Sequence, residues 1–194
     1  GGLKRASYLF GTMHLLCNQD AVLSDGLKAA IDSARDVYFE IDMDNMMEML
    51  GALRYSRMNG GKKLHDLLGT ADYKKVQDYF SAHPSPIPLS MLESFKPMFI
   101  SAMVGEQLMD CPQKAGMEQV IMKEAKDEGK EIRGLETARF QAGLFDSIPY
   151  ESQAKELVSY IDSLDYYRKN TELMAEVYHR QDLRRLDSLV ARSD

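Results

Sequence analysis

Residues 8–14 read YLFGTMH, an aromatic and apolar run that closes with a glycine, a threonine, a methionine and a histidine. The run from Ser7 to Met13 has the length and composition of a β-strand. Ser24 then stands as a helix N-cap before an apolar stripe, and residues 37–43, VYFEIDM, alternate as a second strand does. Strand, helix and strand in close succession predict a βαβ unit with parallel strands and a right-handed crossover.

This arrangement makes His14 and Glu40 candidate functional residues. Ligands of parallel α/β sheets collect at the carboxyl ends of the strands. His14 follows the first predicted strand, and Glu40 lies towards the carboxyl end of the second, so we expect one sheet edge to hold both. Two ordinary interpretations stay open: His14 as a strand-end residue bonded to a backbone carbonyl, and Glu40 as a solvated or salt-bridged residue.

Most of the chain beyond the second strand has helical periodicity, interrupted by HPSPIPLS at residues 83–90. A later helix is expected to end at Gly129, as its C′ residue, before a third short strand, EIRGLE, at residues 131–136. We predict an α/β (α+β) fold with a small central, mainly parallel sheet, a large, mostly helical insertion and a helical C-terminal part. Residues 1–194 are expected to form a single domain.

Composition excludes some classes of protein. The formal net charge of −6 makes a nucleic-acid partner a poor expectation. No apolar run reaches the roughly 20 residues that a membrane-spanning helix needs. The two cysteines, Cys17 and Cys111, lack a zinc-binding spacing, so they either pair or stay reduced and buried, with a slight preference for a disulfide.

Several stretches of the chain resemble the TraB/GumN family, which includes the Tiki-type metalloproteases. Gly11-Thr12-Met13-His14 matches the family's Gly-x-x-His motif, and Glu40 matches the glutamate after the next strand. Gly134 to Thr137, GLET, matches a further signature, and Gly116-Met117-Glu118 resembles a Gly-hydrophobic-Asp element. The similarity covers essentially all of the chain through four stretches: YLFGTMH, VYFEIDM, AGMEQVIMKEAKDEGKEIRGLET and SIPYESQAKELVSYI.

One family motif has no counterpart here. The second Gly-x-x-His is missing, since the later His179 lies in EVYH, residues 176–179, without the glycine. Family members also usually begin with one more strand. We therefore expect a family domain that is incomplete at both ends, with the C-terminal part that carries the second motif absent.

The resemblance implies a metal-dependent hydrolase that acts like a peptidase, with His14 and Glu40 as catalytic residues. Its metal ligands would be His14 and Glu40, and its cofactor Mn²⁺, Co²⁺ or Zn²⁺. Glu136, at the end of the third predicted strand, would add another carboxylate at the same sheet edge as a third ligand. Gly11 would let the backbone approach the ligand, and Thr12 would orient His14. A catalytic zinc normally has three protein ligands, and the chain firmly offers two, so we expect weak metal binding and little or no activity from these 194 residues.

Some of these residues also have a structural interpretation. Glu136 is better explained by its place beside Thr137, an expected N-cap, than as a ligand. Glu118 suits the first turn of a helix through the helix dipole and needs no catalytic role.

The resemblance also implies a peptide or protein substrate and an exported protein, periplasmic or extracellular, whose signal peptide is not in this chain. An alternative function is a non-catalytic module that binds a peptide or a protein partner through the Met-rich helical half, since the chain has 13 methionines. A weaker alternative is tetrapyrrole binding through His14.

Overall fold

A computed structural model describes residues 6–191 of the chain. These residues form mostly helices and a few short strands, which confirms the predicted α/β (α+β) fold with a helical majority. The strands are β1 (Leu16–Cys17), β2 (Asp36–Ile41), β3 (Lys114–Ala115) and β4 (Glu131–Glu136). The α-helices are α1 (Asp25–Ser33), α2 (Met46–Tyr55), α3 (Leu64–Leu67), α4 (Thr70–Ala82), α5 (Leu89–Leu92), α6 (Pro97–Gln107), α7 (Met117–Asp127), α8 (Ala138–Leu144), α9 (Tyr150–Asp162), α10 (Leu164–His179) and α11 (Leu183–Val190).

The chain divides into two compact units. The described part of the first unit comprises residues 6–45, 109–136 and 172–191, and it contains all four strands. The second unit, Met46–Leu108 and Thr137–Thr171, is built from helices and includes the predicted helical insertion. The assignment of residues 1–194 to a single domain stays a prediction.

Strands β2 and β4 form a parallel pair in the first unit, and β4 coincides with the predicted strand EIRGLE. Phe39 lies opposite Gly134 in the register, and Phe39 is buried, as the alternation of β2 predicts. A Cβ atom on Gly134 would lie only 2.6 Å from the backbone nitrogen of Asp42. A glycine is therefore required here for the two strands to approach.

The predicted first strand is wrong. Residues 7–13 are not in a strand; the first strand is β1, which pairs antiparallel with β3. The predicted parallel βαβ unit of the first two strands is therefore wrong too, since β2 pairs with β4 across a long crossover. The physical reason is that strand propensity needs a paired backbone and a buried face. The apolar residues Tyr8, Leu9 and Phe10 are exposed in the described structure.

The core of the first unit packs α1 and α7 against the strands. Ser24 caps α1 as predicted, accepting a hydrogen bond from the Leu27 nitrogen at 3.3 Å. Gly129, with φ of +64°, ends α7 at the predicted C′ position, and Lys130 donates to the Ala125 carbonyl at 2.8 Å. The buried apolar residues of this core are Leu16, Ala21, Leu23, Ile31, Phe39, Ala115, Met117, Ile121 and Ala125.

The second unit has its own core, in which α9 packs against α3, α4 and α6. The buried ammonium of Lys96 donates to the Ala142 carbonyl at 2.7 Å and pairs with Asp146 at 2.9 Å. Its buried apolar residues are Leu64, Val76, Tyr79, Leu92, Ile100, Val104, Ala154, Leu157 and Val158. Over residues 6–191, no helix has both the length and the apolar character needed to cross a bilayer.

A disulfide joins Cys17 to Cys111, with a Cα–Cα distance of 5.8 Å, in agreement with the slight preference for pairing. It links the end of β1 to the segment that leads into β3. The bridge closes a loop across a sequence separation of 94, so it removes many conformations from the unfolded chain.

Replacing Gly134 with alanine should destabilise the first unit by about 1 to 3 kcal/mol, because the new Cβ overlaps the backbone at Asp42. Urea unfolding followed by circular dichroism measures the change. Gly26→Ala is the matched control, since a Cβ at this helical position meets nothing within 4 Å among the described residues. An equal decrease in the free energy of unfolding in both variants would contradict the close approach of β2 and β4.

Replacing Cys17 and Cys111 together with serine should lower the free energy of unfolding by about 4 to 5 kcal/mol, the chain-entropy value for a loop of this size. Denaturant unfolding with and without a reducing agent measures it. Reductant should destabilise the native chain and leave the double variant unchanged. A native chain indifferent to reductant, with two thiols that react with an alkylating agent, would contradict the bridge.

Candidate active site

The two chain segments that flank the disulfide bring His14 beside the beginning of α7. Along this antiparallel contact, the Met117 nitrogen donates to the Met13 carbonyl at 3.0 Å, and the Asn18 nitrogen donates to the Gln113 carbonyl at 2.9 Å. His14 precedes β1, and α7 follows β3 directly, so the short ladder sets the position of the imidazole relative to the first turn of the helix.

Glu118, in the first turn of α7, holds the ring of His14. The distance from His14 Nδ1 to Glu118 Oε1 is 2.6 Å. The histidine side chain is 73% exposed, whereas that of the glutamate is 11% exposed. An ionised carboxylate can only accept a hydrogen bond, so Nδ1 carries the proton in this pair. In the neutral ring, Nε2 then keeps its lone pair and is free to bind a proton or a metal.

Gly116 makes this contact possible. A Cβ atom at this position would lie 2.6 Å from the carbonyl oxygen of His14 and 2.7 Å from Oε2 of Glu118. Real Cβ atoms do not approach backbone oxygen so closely, so any larger residue would push the His14 segment away from α7. The requirement is one of space, because φ of Gly116 is −83°, which every residue tolerates.

Tyr178, near the end of α10, completes the site. Its phenol donates a hydrogen bond to the Gly11 carbonyl at 2.9 Å. Burial raises the pKa of Tyr178, and the negative charge of Glu118 raises it further. The phenol therefore stays protonated at neutral pH and remains a donor. We call His14, Glu118 and Tyr178 the His14 centre.

The other residues predicted for the site lie on β2 and β4. Glu40 is exposed and lies on the face of β2 opposite to Phe39. Glu136 is paired with Ile41, so strand alternation places it on the face that Glu40 does not share. Within residues 6–191, no three His, Cys, Asp or Glu side chains converge as metal ligands would. The shared sheet edge expected for His14 and Glu40 is wrong, because His14 precedes β1 and the β1–β3 and β2–β4 pairs are separate sheets. The catalytic and metal-binding roles of Glu40 and Glu136 stay predictions.

Sequence reasoning missed two members of the His14 centre. The helix dipole accounts for Glu118 in the sequence without a partner, although the Gly116-Met117-Glu118 element is a usable signal. Tyr178 directly precedes His179, the residue at which the second Gly-x-x-His was sought, and nothing in the pattern drew attention to it. Thr137 does cap α8 as predicted, with its hydroxyl accepting from the Phe140 nitrogen at 3.1 Å.

Comparison with known proteins agrees with the resemblance in the sequence. The chain matches the TraB/PrgY/gumN family over residues 1–194, and it belongs to that family. Neither a curated protein nor a solved structure matches the chain.

Replacing Glu118 with glutamine should lower the pKa of Tyr178 towards the ordinary tyrosine value, because a negative charge that opposes the phenolate is removed. Burial is the larger cause of the raised pKa and remains in the variant, so the pKa of Tyr178 should fall only part of the way. A ¹³C NMR titration of ring-labelled tyrosine, assigned with Tyr178→Phe, measures it.

Glu128→Gln serves as the control for that titration, since this residue caps the far end of α7. It should leave the Tyr178 titration unchanged. A Tyr178 pKa that is the same in native protein and Glu118→Gln would show that the carboxylate does not face the phenol.

Proposed function

We propose that this family member is a hydrolase that cleaves peptides at the His14 centre, with a divalent metal as cofactor. One observation carries the proposal: an exposed imidazole is bonded through Nδ1, at 2.6 Å, to a nearly buried carboxylate. This carboxylate–histidine arrangement is common to histidines that bind metals and to histidines that act as general bases. Both roles use the opposite nitrogen, Nε2, which faces away from the carboxylate.

The side chains of the centre have distinct parts in this proposal. Nε2 of His14 would hold the metal ion, and Glu40, the second predicted catalytic residue, accepts the proton of the attacking water and returns it to the leaving amine. Glu118 holds the ring in the tautomer that leaves Nε2 unprotonated and makes Nε2 a stronger donor. Tyr178 fixes the Gly11 carbonyl and thereby the backbone of the motif before His14. Glu118 and Tyr178 are positioning residues in this scheme.

The metal fits the described residues only in part. Nε2 of His14 is a suitable donor for Mn²⁺, Co²⁺ or Zn²⁺, and its second-shell carboxylate is present. A three-ligand set is not assembled within residues 6–191. When bound, such an ion would acidify water and polarise the peptide carbonyl. Of the two carboxylates predicted as further ligands, the proposal uses only Glu40, as the base, because strand alternation places Glu136 on the other face of the β2–β4 pair. We derive no step of the reaction from the metal.

Export of the protein is part of the proposal. The Cys17–Cys111 bridge supports a periplasmic or extracellular location, because disulfides persist in oxidising compartments and are rare in the cytosol. A peptide or protein substrate outside the cytosol is consistent with that location.

The direct test measures cleavage of fluorogenic peptide mixtures by the chain after chelation and addition of Mn²⁺, Co²⁺ or Zn²⁺. We expect slow, metal-dependent turnover. His14→Ala should abolish it, and Glu118→Gln should reduce it by about 10- to 100-fold, as loss of a partner that orients a metal ligand does. Glu40→Ala tests the second predicted catalytic residue and should also abolish it.

His83→Gln is the control, because this imidazole belongs to the second unit, where Nδ1 faces the Tyr79 carbonyl. It should cleave peptides at the native rate. Turnover that survives in both His14→Ala and Glu40→Ala, or a native chain that cleaves nothing with any of the three metals, would contradict the hydrolase proposal.

A non-catalytic binding module is the second candidate, and the surface of α2 favours it. Met46, Leu50 and Leu53 on this helix are 75%, 58% and 58% exposed. Flexible methionine next to leucine suits an apolar helix of a partner. Binding of a partner peptide that survives His14→Ala and is lost in Leu50→Glu/Leu53→Glu would favour this function over hydrolysis.

A further inference from the structure

A cavity of about 770 Å³ opens in the second unit, and its walls come from α3, α4, α5 and the segments around them. All its lining residues lie between positions 63 and 94, so the cavity is formed entirely by the second unit. Its volume falls in the range of sites that hold small molecules. None of these residues takes part in the His14 centre.

Part of the lining is a network of hydrogen bonds around Glu93, whose side chain is 13% exposed. Its carboxylate accepts from His65 Nδ1 at 2.7 Å, from the His65 backbone nitrogen at 3.3 Å and from the Tyr73 phenol. The bond to Glu93, with burial, raises the pKa of Tyr73 to about 12, so the phenol remains a donor at neutral pH. These three donors occupy most of the acceptor sites of Glu93, so few remain for a hydrogen bond to a ligand.

The remaining lining has two kinds of surface. Lys63 lines the cavity and forms no ion pair with the described residues, which leaves its ammonium available. Phe80, Pro84, Pro88 and Leu89 supply an apolar wall. A ligand that complements both needs a negative head and an apolar body.

We propose that this cavity binds a small carboxylic acid with an apolar body. The carboxylate of the ligand pairs with Lys63, and its hydrocarbon part lies along the wall that includes Phe80 and Leu89. The hydrogen bonds among His65, Tyr73 and Glu93 hold these lining side chains in place. The site is independent of the proposed hydrolysis, because it uses no residue of the His14 centre.

The test uses 4-phenylbutyrate as the probe, with 4-phenylbutan-1-ol as its uncharged analogue. Each is titrated into the ¹⁵N-labelled chain and followed by ¹H–¹⁵N NMR. We expect saturable shifts concentrated in residues 63–94, with the acid bound about 3- to 5-fold more tightly than the alcohol, the gain of one exposed ion pair. Phe80→Ala should weaken both probes.

Two lysine variants separate the effect of the Lys63 charge on binding from a general effect of the substitution on the fold. Lys63→Met should remove the preference for the acid and leave binding of the alcohol unchanged. Lys62→Met is the matched control, because the neighbouring Lys62 pairs with Glu151 at 2.9 Å and does not line the cavity; it should keep the preference. The spectra of the variants also report whether each remains folded.

Three results would overturn the proposal. The first is the absence of a saturable shift at residues 63–94 up to the solubility of the probe, and the second is equal affinity of the native chain for acid and alcohol. The third is an equal loss of the preference for the acid in Lys62→Met and Lys63→Met. Each of these results would show that the cavity does not bind carboxylic acids selectively.

Discussion

The missing side chain of Gly116 is the constraint on which the site depends. Because no Cβ is present, the carbonyl of His14 approaches the start of α7 at a distance that no other residue allows. The approach places Glu118, in the first turn of the helix, against the imidazole. A single backbone position thus connects the packing of the first unit to the chemistry of its exposed histidine.

Several independent contacts hold the same two segments together. The β1–β3 ladder fixes their register, and the bridge between Cys17 and Cys111 closes the end of that ladder covalently. Tyr178 ties the glycine of the motif to the end of α10. An exposed imidazole on so short a ladder would otherwise sample many orientations. Its fixed ring is therefore a property of the whole unit, which a functional histidine requires and a merely solvated one does not.

Local signals in the sequence predicted local structure well. Ser24, Gly129 and Thr137 end or begin helices as expected, because caps depend on the chemistry of a few neighbouring residues. The parallel strand EIRGLE was also predicted, and so was the helical majority. The resemblance of Gly11 to His14 to a family motif identified the histidine before its surroundings were known.

The features that depend on pairing between distant segments of the chain could not be predicted from the sequence. The strand predicted from Ser7 to Met13 failed because composition does not reveal whether a backbone has a partner. Glu118 lies 104 residues from His14, so their contact follows from the β1–β3 pairing and not from any spacing in the sequence. Tyr178 joins them from a third segment. Glu40 and Glu136 were expected at one sheet edge, but alternation along the paired strands β2 and β4 places them on opposite faces.

The most direct measurement of the central claim is the protonation of the His14 ring, read from the two ring nitrogens in a long-range ¹H–¹⁵N NMR spectrum at a pH where the imidazole is neutral. We expect the tautomer with hydrogen on Nδ1 and a lone pair on Nε2, because Nδ1 donates to Glu118. A ring protonated on Nε2, or an equal mixture of the two tautomers as in a free histidine, would contradict it.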